Sequence, residues 1–132
     1  MKRLVVPMAL AASALAASAP VRADIYLIAN SALTLTADEA RDVYLGEKQL
    51  AGSVKLVPFD NSAAQGEFLS KVLQMDSAKY STLWTKKGFR EGLNAPAVKG
   101  SDVEVLANVK ANPGGVGYVT TPPAGVNVIR KF

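Results

Sequence analysis

Short apolar runs alternate with amphipathic segments along the chain. The run from Ile25 to Ala29 has the length and continuity of a buried strand. Residues 54–58, 116–120 and 126–129 form further strand-like runs. Because Pro58 cannot donate a hydrogen bond to a neighbouring strand, we expect it at the end of its strand. Strands that alternate with helical segments are typical of an α/β layered fold.

Three of the predicted helices open with a capping box, in which a Ser or Thr is followed three residues later by Glu or Gln. The two side chains of such a box accept hydrogen bonds from each other's backbone N–H groups, which are otherwise unpaired at a helix start. The boxes are Thr36–Glu39, Ser62–Gln65 and Ser101–Glu104. They predict helices over about 37–45, over 63–75, and from 101 to about 109.

A further helix is predicted between the second and third of these. Ser77 is its expected cap, and Tyr80, Leu83 and Trp84 have the spacing of one buried helical face. We interpret these aromatic side chains as core, since aromatic stripes mostly pack inward. The stretch 88–100 holds three glycines and a proline and is expected to be a loop.

The first residues have the pattern of a secretory signal peptide. Lys2 and Arg3 precede an uncharged segment rich in Ala, Leu and Val, and Ala23 fits the position before a cleavage site. We expect cleavage after Ala23, a mature domain of residues 24–132 and a periplasmic location. A retained membrane anchor is the alternative, but the segment is rich in Ala and Ser rather than in Leu and Ile.

Charge and composition narrow the function. Loss of residues 1–23 leaves 12 of the 15 basic residues against 11 acidic ones, so the near-neutral mature chain is not expected to bind nucleic acid. The absence of histidine and cysteine removes disulfides and the commonest metal ligands and general bases. We therefore expect no metal site, no cofactor and no enzyme activity. A catalytic Ser–Lys dyad is the alternative that the sequence leaves open.

Several segments occur together in a characteristic order. Asp42-Val-Tyr-Leu-Gly46 is followed by Ser62-Ala-Ala-Gln-Gly-Glu-Phe68, by Trp84, by Gly100-Ser-Asp102 and by Pro113-Gly-Gly-Val-Gly-Tyr118-Val. In this combination they resemble one lobe of the phosphate-type periplasmic substrate-binding proteins of ABC transporters. The resemblance covers nearly all of residues 25–129. It implies a single type II binding-protein-like lobe, with a small mixed sheet flanked by helices.

The resemblance also implies a function and a site. It predicts a solute-binding protein that binds phosphate or a similar oxyanion for an ABC permease. The anion contacts would be Ser62 and the backbone N–H groups of Ala63, Ala64 and Gln65, where a helix is expected to begin.

The chain departs from the family pattern at this site. Pro58 stands where the family has an arginine, and Ala63-Ala64 replace Gly-Thr. One lobe also supplies only half of a closing site, so tight binding would require a homodimer or another protein as the second lobe. An alternative function is therefore an interaction or sensory accessory module that has given up the ligand and contacts a membrane sensor or transporter. A hydrolase is the weakest option.

Overall fold

The computed structural model describes residues 24–132. The predicted signal peptide, residues 1–23, lies outside the described residues. Among residues 24–132, none of the helices has the length and apolar character needed to cross a membrane.

A five-stranded mixed sheet forms the centre of the fold. Residues 24–132 hold seven strands in chain order: β1 (Tyr26–Ala29), β2 (Leu50–Ala51), β3 (Val54–Lys55), β4 (Val57–Asn61), β5 (Ala97–Lys99), β6 (Gly115–Val119) and β7 (Asn127–Lys131). The sheet order is β5-β4-β6-β1-β7, and β2 and β3 form a separate antiparallel pair. β4 runs parallel to β5 and β6, whereas β1 is antiparallel to β6 and β7.

Helices cover both faces of this sheet. They are α1 (Ala37–Tyr44), α2 (Gln65–Phe68), α3 (Ser77–Glu91) and α4 (Asp102–Ala111), and α2 continues into a π-helical segment, Leu69–Leu73. Leu27 and Ala29 of β1 pack in a core cluster with α1, α2 and α3, whereas Ile28 packs with Val105 and Val109 of α4. Because β1 is buried on both faces, its uninterrupted apolar run is what the fold requires. The predicted α/β fold with a small mixed sheet is confirmed.

The helix starts follow the capping predictions in part. The Thr36–Glu39 box is present, with both reciprocal hydrogen bonds. The cap of α3 is Asp76 rather than Ser77, because the Asp76 carboxylate accepts from the Lys79 N–H at 2.8 Å. At α4, Ser101 accepts from the Glu104 N–H, but Glu104 reaches one residue further back and accepts from the Gly100 N–H.

Two element predictions are wrong in part. The predicted loop 88–100 is confined to residues 92–96 and Gly100, because α3 continues through Gly88 to Glu91 and β5 begins at Ala97. α3 is capped by Gly92, whose φ of 67° only glycine adopts freely. A single glycine costs a helix about 1 kcal/mol, which the packing of α3 through Tyr80 and Trp84 outweighs. The predicted helix over 63–75 begins only at Gln65 and changes to π-helical hydrogen bonding after Phe68.

The position of Pro58 within its strand also differs from the prediction. The predicted strand 54–58 is divided between β3 and β4, and Pro58 lies near the start of β4 opposite Val116 of β6. β5 pairs with β4 only from Phe59 onward, so no strand on that side requires an N–H group from Pro58.

A close approach of α4 to the sheet depends on Gly117. A Cβ atom at this position would lie 2.6 Å from Val105 Cγ1 and 2.9 Å from Val109 Cγ2. Both valines are fully buried, so neither has room to move away.

We predict that Gly117→Ala lowers the free energy of unfolding by about 1–3 kcal/mol, because the added methyl group overpacks this contact. Urea denaturation would measure the change. Gly66→Ala is the matched control: it lies within α2, and no atom lies within 4 Å of the place that its Cβ would take, so its stability should stay equal or rise. Equal losses in both variants would contradict the packing explanation.

Candidate functional site

The carboxyl ends of β4, β5 and β6 meet at one edge of the sheet. Crevices outside the carboxyl ends of parallel strands are where open α/β sheets commonly bind ligands. The four predicted anion-binding residues, Ser62, Ala63, Ala64 and Gln65, follow β4 directly at this edge. The anion site predicted from the sequence therefore lies at the edge of the sheet where open α/β folds commonly bind ligands.

The backbone donors at this corner already have acceptors. The Ser62 N–H donates to the Lys99 carbonyl at 2.9 Å, and the Ala64 N–H donates to the Asn61 carbonyl at 3.0 Å. The Ala63 N–H donates to Asn61 Oδ1 at 3.1 Å. Two of the three expected N–H groups, those of Ala63 and Ala64, thus bond within the chain.

Ser62 does not cap the helix that follows it. Ala64 occupies the cap position of α2 and has no side chain with which to accept a hydrogen bond. The predicted Ser62–Gln65 capping box is therefore wrong. Asn61, one residue earlier, accepts a hydrogen bond from the backbone N–H two residues later, as Asn side chains do in turns.

Gln65 points to a buried carboxylate. Its side chain hydrogen-bonds Asp60, whose residue surface is only 2 % exposed. Tyr118 Oη donates to Asp60 Oδ1 at 2.7 Å and Tyr80 Oη donates to Oδ2 at 2.8 Å. Burial raises the pKa of the Asp60 carboxyl, since the hydrogen bonds from Tyr118, Tyr80 and Gln65 offset only part of the desolvation.

Aromatic packing holds the Tyr118 ring in place. The Tyr118 ring stacks on Phe68 with a centroid separation of 3.8 Å, and the Tyr44 ring meets both in edge-on contacts. Burial, together with the charge of Asp60, raises the pKa of both Tyr80 and Tyr118 well above the ordinary range. Both hydroxyls therefore stay protonated and act as donors to Asp60.

A second carboxylate lies across the same edge. Asp102, at the start of α4, accepts from the Thr120 hydroxyl at 2.7 Å, the Thr120 N–H at 3.0 Å and Asn61 Nδ2 at 2.8 Å. Thr121 Oγ1 adds a longer bond at 3.2 Å. Partial burial pulls the pKa of Asp102 upward, but the bonds from Thr120, Asn61 and Thr121 outweigh it and hold this pKa below its usual value.

Sequence reasoning missed Asp60, Asn61 and Asp102. A signal was present at the first two, because polar residues that directly follow an apolar strand mark its carboxyl end. Asp102 carried no such signal, since an acidic residue in the first turn of a helix is adequately explained by the helix dipole. Within the described range, no group of three or more His, Cys, Asp or Glu side chains is arranged to hold a metal ion.

The comparisons with known proteins bear on the fold. No family model matches the sequence, and no curated protein is significantly similar to it. Among solved structures, the chain is similar to an ABC-type phosphate transport receptor from Vibrio cholerae, with a TM-score of 0.51 and 17% sequence identity. The match covers 82% of this chain and 46% of the receptor, so the chain spans about half the length of that protein. It agrees with a lobe-like, binding-protein fold.

We predict that Asp102→Asn lowers the free energy of unfolding near neutral pH by about 1–3 kcal/mol, the usual effect of removing a charged acceptor. A carboxyl whose pKa is depressed in the folded state contributes stability above its unfolded-state pKa of about 3.9 and loses it as the pH falls through the folded value. The difference between wild type and Asp102→Asn should therefore shrink below about pH 4.

Urea denaturation across the acidic range would test this pH dependence. The control is Asp42→Asn, because Asp42 is exposed on α1 and its side chain makes no hydrogen bond or ion pair with residues 24–132. A wild-type advantage over Asp102→Asn that stays constant at every pH would contradict the assignment.

Proposed function

We propose that this chain is an extracytoplasmic accessory domain, a single binding-protein-like lobe that contacts a membrane sensor or transporter. The observation that carries the proposal is the use of the Ser62, Ala63 and Ala64 N–H groups by acceptors of the chain itself. A high-affinity anion site needs such donors to be free and aimed at the ligand.

The charges at the sheet edge support the same conclusion. Asp102 is held in its ionised form by three neighbouring residues, and Asp60 lies buried beside Gln65. An anion brought to about 4 Å from an ionised carboxylate near a protein surface is repelled by about 4 kcal/mol. A neutral hydrogen bond from the Ser62 hydroxyl supplies only about 1 kcal/mol, which is less than a repulsion at that distance.

Pro58 also makes anion binding at the Ser62 corner less favourable. It stands where the resemblance places an arginine, and a hydrogen bond to a charged group is worth about 1.5–3 kcal/mol. Loss of that contact alone weakens anion binding by about tenfold or more. Lys99 lies beside Ser62, where its carbonyl accepts from the Ser62 N–H, and its ammonium lies 5.7 Å from the Phe59 ring centroid.

The proposed location rests on the N-terminal pattern and on the fold. We infer that residues 1–23 are a cleaved signal peptide and that residues 24–132 work in the periplasm as one domain. The structural neighbour is a transport receptor, which supports a role alongside membrane transport or sensing and not an enzymatic one. The partner class is therefore an ABC permease or a membrane sensor.

We predict that the C-terminally tagged chain, crosslinked in cells, is recovered with a membrane sensor or transporter subunit. The yield of this complex should not change when millimolar phosphate is added, because the domain does not need an anion to bind its partner. Affinity capture followed by mass spectrometry would measure it. A complex that forms only with phosphate would contradict the accessory function.

The contact surface can be tested through Phe89, which is 88% exposed on the last turns of α3. Phenylalanine is enriched in the buried cores of protein interfaces. Phe89→Ser should therefore reduce recovery of the partner without loss of stability. Val128→Ser, at a 47% exposed position of β7, is the matched control and should leave recovery unchanged.

A second candidate is oxyanion binding at Ser62, Ala63, Ala64 and Gln65. It is favoured by the similarity to a phosphate receptor and by the exposed position of Ser62 at the carboxyl end of β4. Calorimetric titration with phosphate, sulfate and molybdate would test it, with Ser62→Ala as the site variant. Saturable binding well below millimolar that Ser62→Ala weakens would replace the accessory proposal.

A further inference from the structure

A cavity of about 380 Å³ lies at the opposite end of β4 from Ser62. Val57 and Pro58, the first residues of β4, form part of its wall, together with Trp84 of α3 and the segment 92–97 that leads into β5. A strand rises about 3.3 Å per residue, so the cavity and the Ser62 corner are roughly 16 Å apart. Its volume is in the range of small-molecule sites, about 300–1,000 Å³.

The walls of this cavity are mainly apolar. Leu56, Val43 and Pro58 line it beside the indole of Trp84, which is 8% exposed. Trp84 Nε1 donates to the Tyr44 carbonyl at 3.1 Å, so the polar atom of the indole is satisfied elsewhere and the ring presents apolar surface. A flat apolar group of a ligand could pack against this ring.

The indole position depends on a glycine. A Cβ atom at Gly46 would lie 3.2 Å from Trp84 Cη2, and the φ of 72° at Gly46 is also unfavourable for other residues. Gly46 belongs to the loop after α1 and lines the same cavity. The wall is thus built from elements that are distant in the sequence, rather than from one mobile loop.

The charged residues that line the cavity are all cationic. They are Lys48 and Lys55, and no Asp or Glu lines the cavity among the described residues. Lys48 forms an ion pair with Glu39, with 3.7 Å between Lys48 Nζ and Glu39 Oε2. Lys55 is exposed and makes no ion pair or side-chain hydrogen bond with residues 24–132. An apolar chamber with an uncompensated cation therefore selects an apolar ligand that carries negative charge.

We propose that this cavity binds a small arylalkyl carboxylate, with its ring against Trp84 and its carboxylate toward Lys55. The site is separate from the Ser62 corner and does not depend on the accessory function. It would give such a domain a ligand to sense that is unrelated to phosphate.

The test uses the fluorescence of Trp84, the one tryptophan of the chain. 3-Phenylpropionate is titrated into the full-length protein, with 3-phenylpropionamide as its neutral counterpart and inorganic phosphate as a control for the Ser62 corner. We expect a saturable change in Trp84 emission with the carboxylate, about three- to fivefold weaker binding of the amide, and no change with phosphate.

Two variants locate the binding site. Lys55→Met keeps most of the side-chain length and should weaken 3-phenylpropionate binding about three- to fivefold. Lys110→Met, at an exposed position of α4 on the other face of the sheet, should leave binding unchanged. Ala97→Leu adds bulk at a lining position and should reduce binding while urea denaturation shows a folded protein.

The outcomes separate this proposal from the accessory function. No saturable response to 3-phenylpropionate, or equal binding of carboxylate and amide, would overturn the assignment, as would equal effects of Lys55→Met and Lys110→Met. None of these results changes partner recovery in the crosslinking experiment, so the two proposals fail independently.

Discussion

The buried Asp60 carboxylate organises the centre of this protein. A carboxyl group removed from water is costly unless hydrogen bonds replace its hydration. Tyr80 from α3 and Tyr118 from β6 each donate to it, so this requirement sets the positions of both elements relative to β4. The stack of Tyr118 on Phe68 extends the constraint to α2. One polar group thus joins four elements of the larger core.

Polar groups also need hydrogen-bond partners at the carboxyl-end edge of the sheet, where open α/β sheets commonly bind ligands. Asn61 divides its hydrogen bonds between Asp102, the Tyr118 carbonyl and the Ala63 N–H. Each of these bonds is made within the chain and leaves fewer hydrogen-bond donors and acceptors for a ligand. In this chain, the donors and acceptors at the carboxyl ends of β4 and β6 stabilise the structure. A likeness of fold therefore does not carry the function of the structural neighbour with it.

The other end of β4 has the opposite character. Around Trp84 the described side chains leave a chamber, its walls are apolar, and its charged lining residues are cations. The polar edge of the sheet is thus filled by hydrogen bonds within the chain, whereas an apolar cavity lies open at the other end of β4.

Local sequence patterns predicted the α/β fold, the buried strand β1 and the Thr36–Glu39 cap correctly. These features depend on the period of apolar residues or on hydrogen bonds within four residues of the chain, which local patterns record. The hydrogen bonds of the Ser62 corner and the partners of Asp102 depend instead on contacts between distant parts of the chain. The Ser62 N–H finds its acceptor in Lys99, and Asp102 finds its donors in Thr120 and Asn61, after distant strands have paired. β5 itself was missed for the same reason, since three residues become a strand only when β4 lies beside them.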